Sequence, residues 1–88
     1  MNTNTTLVWV SYINFPELGK PAEIIIKETG TTEEFRLIYD EVKYPYGIVY
    51  QAVDFLKSYA ENSIIATGFD GDSTKNYIII SGCGIKRK

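Results

Sequence analysis

Histidine is absent from the 88 residues, and cysteine occurs once, at Cys83. Those two shortages remove much of the usual catalytic repertoire. Without His there is no Ser-His-Asp triad and no Cys-His pair, and a zinc cluster has no ligand set to draw on. A lone Cys makes no intrachain disulfide, and small domains in oxidising compartments generally depend on such staples. The reading is a reducing, cytoplasmic compartment, that of a host cell. Cys83 itself stands between Gly82 and Gly84 in a strand-like run and is expected to be a small buried apolar residue. Long hydrophobic runs are also missing: nothing approaches the roughly 18 apolar residues of a membrane span. The opening MNTNTTLVWVSYINF has no basic leader region, so neither a signal peptide nor an anchor is expected. Phosphate loops of the GxGxxG or Walker type do not occur. The expectation is no cofactor, no metal and no enzymatic activity.

What remains is an ordinary globular composition, 44% apolar and 23% charged, which argues against disorder. The length fits one domain, residues 1–88, with a small core. Tyrosine is abundant, at 7 residues. It is a good strand former, and it is also enriched at protein interfaces. The net charge of -2 exerts no broad pull toward nucleic acid or membrane. The charge is unevenly spread. Residues 1–42 hold seven acids and three bases; residues 43–88 hold four acids and six bases, three of them in Lys86-Arg87-Lys88. That run reads as a solvated end.

Periodicity supplies the elements. LVWVSYI (7–13) is β-branched and aromatic and reads as a first strand. NFPELGKP is a loop punctuated by Pro16, Gly19 and Pro21. AEIIIKE (22–28) alternates, with Ala22, Ile24 and Ile26 on one face. After a TGTT turn, Glu33–Tyr44 alternates again, Phe35, Leu37 and Tyr39 sharing a face, so these two strands form a hairpin. The parity slips after Asp40, which marks either a bulge or the end of the strand. YPYGIVYQAVDFLKSYAEN is the one helical stretch, opened by Pro45 and stopped near Asn62. Its residues Ile48, Val49, Ala52, Val53, Phe55, Leu56, Tyr59 and Ala60 form one apolar arc, suited to lying flat on a sheet. Residues 63–69 and 76–85 read as two further strands. The fold class expected is α+β: a two-layer sandwich of about five antiparallel strands with one helix on one face, in the order β-β-β-α-β-β.

Between the last two strands, Asp70-Gly71-Asp72-Ser73-Thr74 reads D-x-D-x-T and resembles the phosphoryl-transfer motif of the haloacid dehalogenase family. That resemblance would require a central parallel strand feeding a helix, and later elements carrying a Lys and further acids. Only 14 residues follow Thr74, and after Lys75 they run straight into the strand-like NYIIIS. Polar residues rich in Asp, Gly and Ser between two apolar runs are a hairpin-loop signature, and the motif is expected to be a turn.

The strands are apolar on more than one face. Strand 1 carries Leu7, Trp9 and Ile13 on one side and Val8, Val10 and Tyr12 on the other; the last strand contains an unbroken Tyr77–Ile80 run. One helix covers one face, so strands 1 and 5 are expected in the middle of the sheet, or the second face is covered by a second copy, a partner or the sheet's own curl. The function expected is a non-enzymatic protein-binding module. The reading extends to an inhibitor of the kind phages and mobile elements use against host defence, for example of a nuclease or CRISPR effector. The expected contact surface is acidic and tyrosine-rich: Glu33, Glu34, Asp40, Glu41, Tyr44, Tyr46 and Tyr50. The partner is a protein not identified by the sequence, with a homodimer through the second sheet face as a further expectation. The alternatives are a β-sheet nucleic-acid binder using exposed aromatics and the basic end, which the net charge disfavours, and a self-assembling structural subunit.

Overall fold

The computed structural model describes the backbone of residues 4–70 and 72–88, and the side chains of these except 70 and 72–74. The first strand, β1, runs from Thr5 to Phe15. Its β-branched and aromatic residues alternate as a pleat requires: Val8 and Val10 are fully buried, while Trp9 and Ser11 between and after them are half-buried on the opposite face. A single 3-10 turn at Pro16–Leu18, closed by left-handed Gly19, reverses the chain. Half of the expected loop is therefore absorbed into strand, and β2 begins early, spanning Lys20–Glu28.

The β2 strand pairs antiparallel with β1, Val10 opposite Ile26 and Tyr12 opposite Ile24. On its other edge it pairs with β3, Glu34–Ile38, with Ile26 opposite Phe35 and Ile24 opposite Leu37. This strand is shorter than its alternation suggested, because the chain bends at Asp40. There the Asp40 N–H donates to Gln51 Oε1 at 2.9 Å, and Asp40 Oδ1 accepts the Lys43 N–H at 3.1 Å. The parity slip at Val42 and Tyr44 is thus the end of a strand.

The helix, α1, spans Ile48–Tyr59. It starts one turn later than Pro45 because Gly47 sits at φ 132, ψ 168. Few L side chains adopt that backbone, and helical dihedrals cannot continue back through it. The helix ends before Asn62, where Ala60 turns extended and bridges to Arg87. Two more strands follow, β4 (Ile64–Asp70) and β5 (Asp72–Ser81), antiparallel neighbours with Asp70 opposite Asp72. The turn expected at Asp70–Thr74 has Gly71 and its side chains outside the described residues. Downstream of Asp72 the chain is strand, where a dehalogenase-type site needs a helix.

The sheet is five-stranded in the order β3-β2-β1-β5-β4. Strand β1 is central and β5 interior, as their two-sided apolar character implied. Helix α1 lies on the face presented by Val8, Val10, Ile24, Ile26, Ile78 and Ile80, and closes the core with Ile48, Ala52 and Leu56. Burying each Leu or Ile contributes roughly 1.5–3 kcal/mol. Phe35, Phe55 and Tyr59 pack ring against ring at one margin, with centroids 4.9–5.4 Å apart. Among the described residues no charged or polar residue is buried.

Two expectations fail beyond Ser81. Cys83 is exposed, because β5 has ended and the chain bends on both sides of it, with Gly82 at φ 86 and Gly84 at φ 89. The basic run is also docked rather than free. The Glu61 N–H donates to Lys86 O at 2.7 Å, and the Lys88 N–H to Tyr59 O at 2.9 Å. Asn62 reaches Ser81 O and Gly84 O and accepts the Lys86 N–H. Lys88 Nζ donates to Lys57 O, one of the carbonyls at the helix end, where a cation complements the dipole.

Candidate binding cleft

A length mismatch creates the main surface feature. Strand β1 has 11 residues and α1 has 12. At about 3.4 Å and 1.5 Å per residue these span roughly 37 Å and 18 Å. The helix therefore leaves one end of its own sheet face bare, and the molecule is elongated, 50 × 30 × 25 Å. The bare end is an open cleft of about 1690 Å³. One wall is the connection from Tyr39 to Gly47 with the first turns of α1. The other is formed by Tyr12, Lys20 and Ala22 from β1–β2, and by Thr67, Phe69 and Asn76 from β4–β5.

The wall of the cleft is aromatic and exposed. Tyr46 is 86% exposed, Val42 89%, Tyr50 60%, Phe69 64% and Tyr12 50%. Tyr46 and Tyr50 are four residues apart across the helix start, so their rings meet edge to face with centroids 6.5 Å apart. This is a costly exposure for five large side chains.

The connection is held by specific bonds. The Tyr39 hydroxyl donates to Tyr44 O at 2.8 Å. Gln51 clamps both sides of the bend, donating from Nε2 to Ile38 O at 2.8 Å while its Oε1 accepts the Asp40 N–H. The Tyr44 hydroxyl donates to Asp54 Oδ2 at 2.9 Å, and Lys43 Nζ sits 5.5 Å over the Tyr44 ring. The bond to Asp54 needs the phenolic proton, so it holds the Tyr44 phenol above its ordinary value. These contacts fix the loop before any partner arrives, which lowers the ordering cost of binding.

Of the seven residues expected to form a contact surface, five gather here. Glu41, Tyr44, Tyr46 and Tyr50 line the cleft, and Asp40 anchors the bend beneath them. Glu33 and Glu34 do not join them. Glu34 lies opposite Lys27, whereas Tyr39 bonds to Ala22 five residues back along β2, a separation of about 17 Å along the strand. Glu34 instead accepts from Arg36 at 2.9 Å, and Arg36 also reaches Glu23 at 3.3 Å. The bonds to Glu34 and then Glu23 raise the guanidinium further above its already high value. The acids of the first half are thus dispersed over two faces. In the cleft the bases Lys20, Lys43 and Lys57 stand with the acids Glu41 and Asp54.

Sequence reasoning missed Tyr12, Phe69 and Lys20. Tyr12 shares the parity of Val8 and Val10 and so counts as core by alternation. The signal that it is not lay in the lengths: a helix of this size cannot reach the far end of so long a strand. No protein-family model matches the chain, and neither a curated protein nor a solved structure is significantly similar to it.

Proposed function

We propose that the chain is a protein-binding module with no chemistry of its own, and that it engages its partner through the tyrosine-walled cleft. The observation that carries this reading is the pairing of exposure with rigidity. Tyr46 and Val42 project from a loop whose backbone is clamped by Gln51, Tyr39 and Asp40, and Tyr50 projects from the first turn of α1 beside them. Tyr brings large contact area with few torsions to freeze, and such residues dominate the energetics of protein interfaces. The mixed charges of the cleft place electrostatics in a supporting role, tuning rate and orientation. An inhibitor acts in this manner, occupying a surface of a larger protein without transforming it, and that is the role we assign.

A second reading rests on Lys20, Lys43 and Lys57 in the same cleft: aromatic rings with cations also suit single-stranded nucleic acid. One experiment separates the two. Affinity-tagged chain is incubated with lysate, with and without nuclease treatment, beside a Tyr46→Ala/Tyr50→Ala variant. The variant is expected to melt like the parent, since both side chains are exposed, and to lose a protein that the parent retains. A partner retained equally by both, or binding that disappears only on nuclease treatment, contradicts the proposal.

A further inference from the structure

The sheet ends in two edge strands, β3 and β4, and they are built differently. Strand β3 is five residues long, and two of them are the ion-paired Glu34 and Arg36. Gln51 Nε2 takes its last carbonyl, Ile38 O, at 2.8 Å. A short, charged and capped edge discourages a further strand. Strand β4 lacks those guards. Its first six residues, IIATGF, hold no charge and no proline, and Ile65, Ala66, Thr67 and Phe69 are exposed. After one slip at Ile65, its register with β5 is unbroken from Ala66 to Phe69. In an antiparallel ladder every second residue turns its N–H and C=O away from the neighbour, so two of these four offer both groups outward. Among the described residues β4 pairs with β5 alone, and no loop backbone bonds to Ala66–Phe69. The same edge borders the cleft. Ile64, Thr67 and Phe69 stand opposite Ile80, Ile78 and Asn76, on the face that α1 covers. The rings of Phe35, Phe55 and Tyr59 close the flank of α1 toward β3. The flank toward β4 is open: Val49 and Val53 stay half-buried and line the cleft with Ile64 and Thr67.

We propose that the protein partner enters this cleft as an extended segment that adds to β4 as a sixth strand. The proposal rests on the reading of the cleft as a protein-binding site, and it names the form the partner takes there. The backbone selects that form, because outward N–H and C=O groups in alternation are matched by another extended chain. Alternate side chains of the added strand fall on the α1 face, where the open flank receives apolar ones beside Val49 and Val53. The segment is thus about four to six residues long, apolar at every second position and free of proline. A second copy of the chain fits less well. Two β4 edges pair antiparallel about a two-fold axis normal to the sheet, which sets both helices on the same side. Helix α1 lies over β1 and β5, two strand spacings from that axis. At about 4.8 Å per spacing the helices would stand about 19 Å apart, against about 8–10 Å for packed helices, and both clefts would stay open.

The probe is a phage-displayed library of random linear peptides, selected on the purified chain. The strongest binder is resynthesised with a single N-methyl group moved along its backbone. Selected sequences should be apolar at every second position. Methylation should weaken binding by about tenfold at alternate amides and be tolerated at those between, because every second N–H faces β4. Amide exchange within Ala66–Phe69, read by NMR, should slow at alternate residues when the peptide is added. Thr67→Lys, a change at an exposed residue on the cleft side, should weaken binding by about tenfold. Peptides that depend on Tyr46 and Tyr50 but show no alternation, or leave the β4 amides unchanged, overturn strand addition and leave the cleft reading standing. Peptides that alternate along β4 yet bind the Tyr46→Ala/Tyr50→Ala variant unchanged support strand addition and overturn the tyrosine wall. A library that yields no binder overturns the proposal. So does a chain of twice 10.0 kDa by light scattering whose β4 amides are already slow without peptide, which assigns the edge to a second copy.

Discussion

At the scale of single residues, most of the site's behaviour depends on which polar atoms find partners. Tyr44 is the clearest case. Its hydroxyl bond to Asp54 exists only while the phenol is protonated, so the folded chain holds that proton more tightly than the unfolded chain, whose phenol titrates near 10.0. A group raised in this way stabilises the fold below the unfolded value and loses that contribution as pH rises through the folded value. The loop should therefore loosen at alkaline pH. Asp54→Ala should return the Tyr44 titration toward 10.0, followed by carbon NMR of labelled tyrosine rings; a Tyr44 that titrates at or below 10.0 in the parent contradicts the bond. Alternation and burial could be read for Val8, Ile24 and Ile78 because apolar side chains follow the pleat. The Tyr44–Asp54 bond could not, since ten residues and a helix start separate the two and only the folded loop aims one at the other.

At the scale of elements, periodicity located every strand and the helix, and the ends were set by backbone chemistry that periodicity does not register. Gly47 delays α1 and the Asp40–Gln51 bond cuts β3 short. The segment Gly82–Lys88 is the largest departure. Its glycines and basic residues have the composition of a solvated end, yet Asn62, Ala60 and Glu61 supply it with partners from across the chain. Those partners are invisible to a local reading of composition. Deleting residues 86–88 removes two inter-segment backbone bonds and the Lys86 N–H bond to Asn62. At about 1 kcal/mol for each, partly offset by water, the loss should be on the order of 2 kcal/mol. For a domain of this size that lowers Tm by roughly 10 °C. A free end would leave Tm unchanged, so calorimetry of the shortened chain decides between them.

At the scale of the whole molecule, one mismatch explains the shape. The central strands β1 and β5 are about twice as long as the helix, so the helix builds a core at one end and leaves a cleft at the other. The fold class was legible because both periods, two and 3.6, are strong in this chain. The cleft was half legible: YPYGIVY advertised its tyrosines, while the opposite wall looked like core. The acidic surface inferred from counting Glu and Asp dissolved once the sheet was assembled, because register sends Glu34 and Glu23 to Arg36 on the far face. What survives is an aromatic cleft beside a clamped loop, the surface we propose binds a protein partner. The most direct measurement places a photo-activatable phenylalanine at Tyr46, and in parallel at Tyr50 and at Glu61, which is exposed beyond the far end of α1, and irradiates cells producing each version. Adducts from positions 46 and 50 to the same protein, with none from 61, are the predicted result. Adducts from 61 alone, or equal labelling from all three positions, would contradict a cleft built to bind.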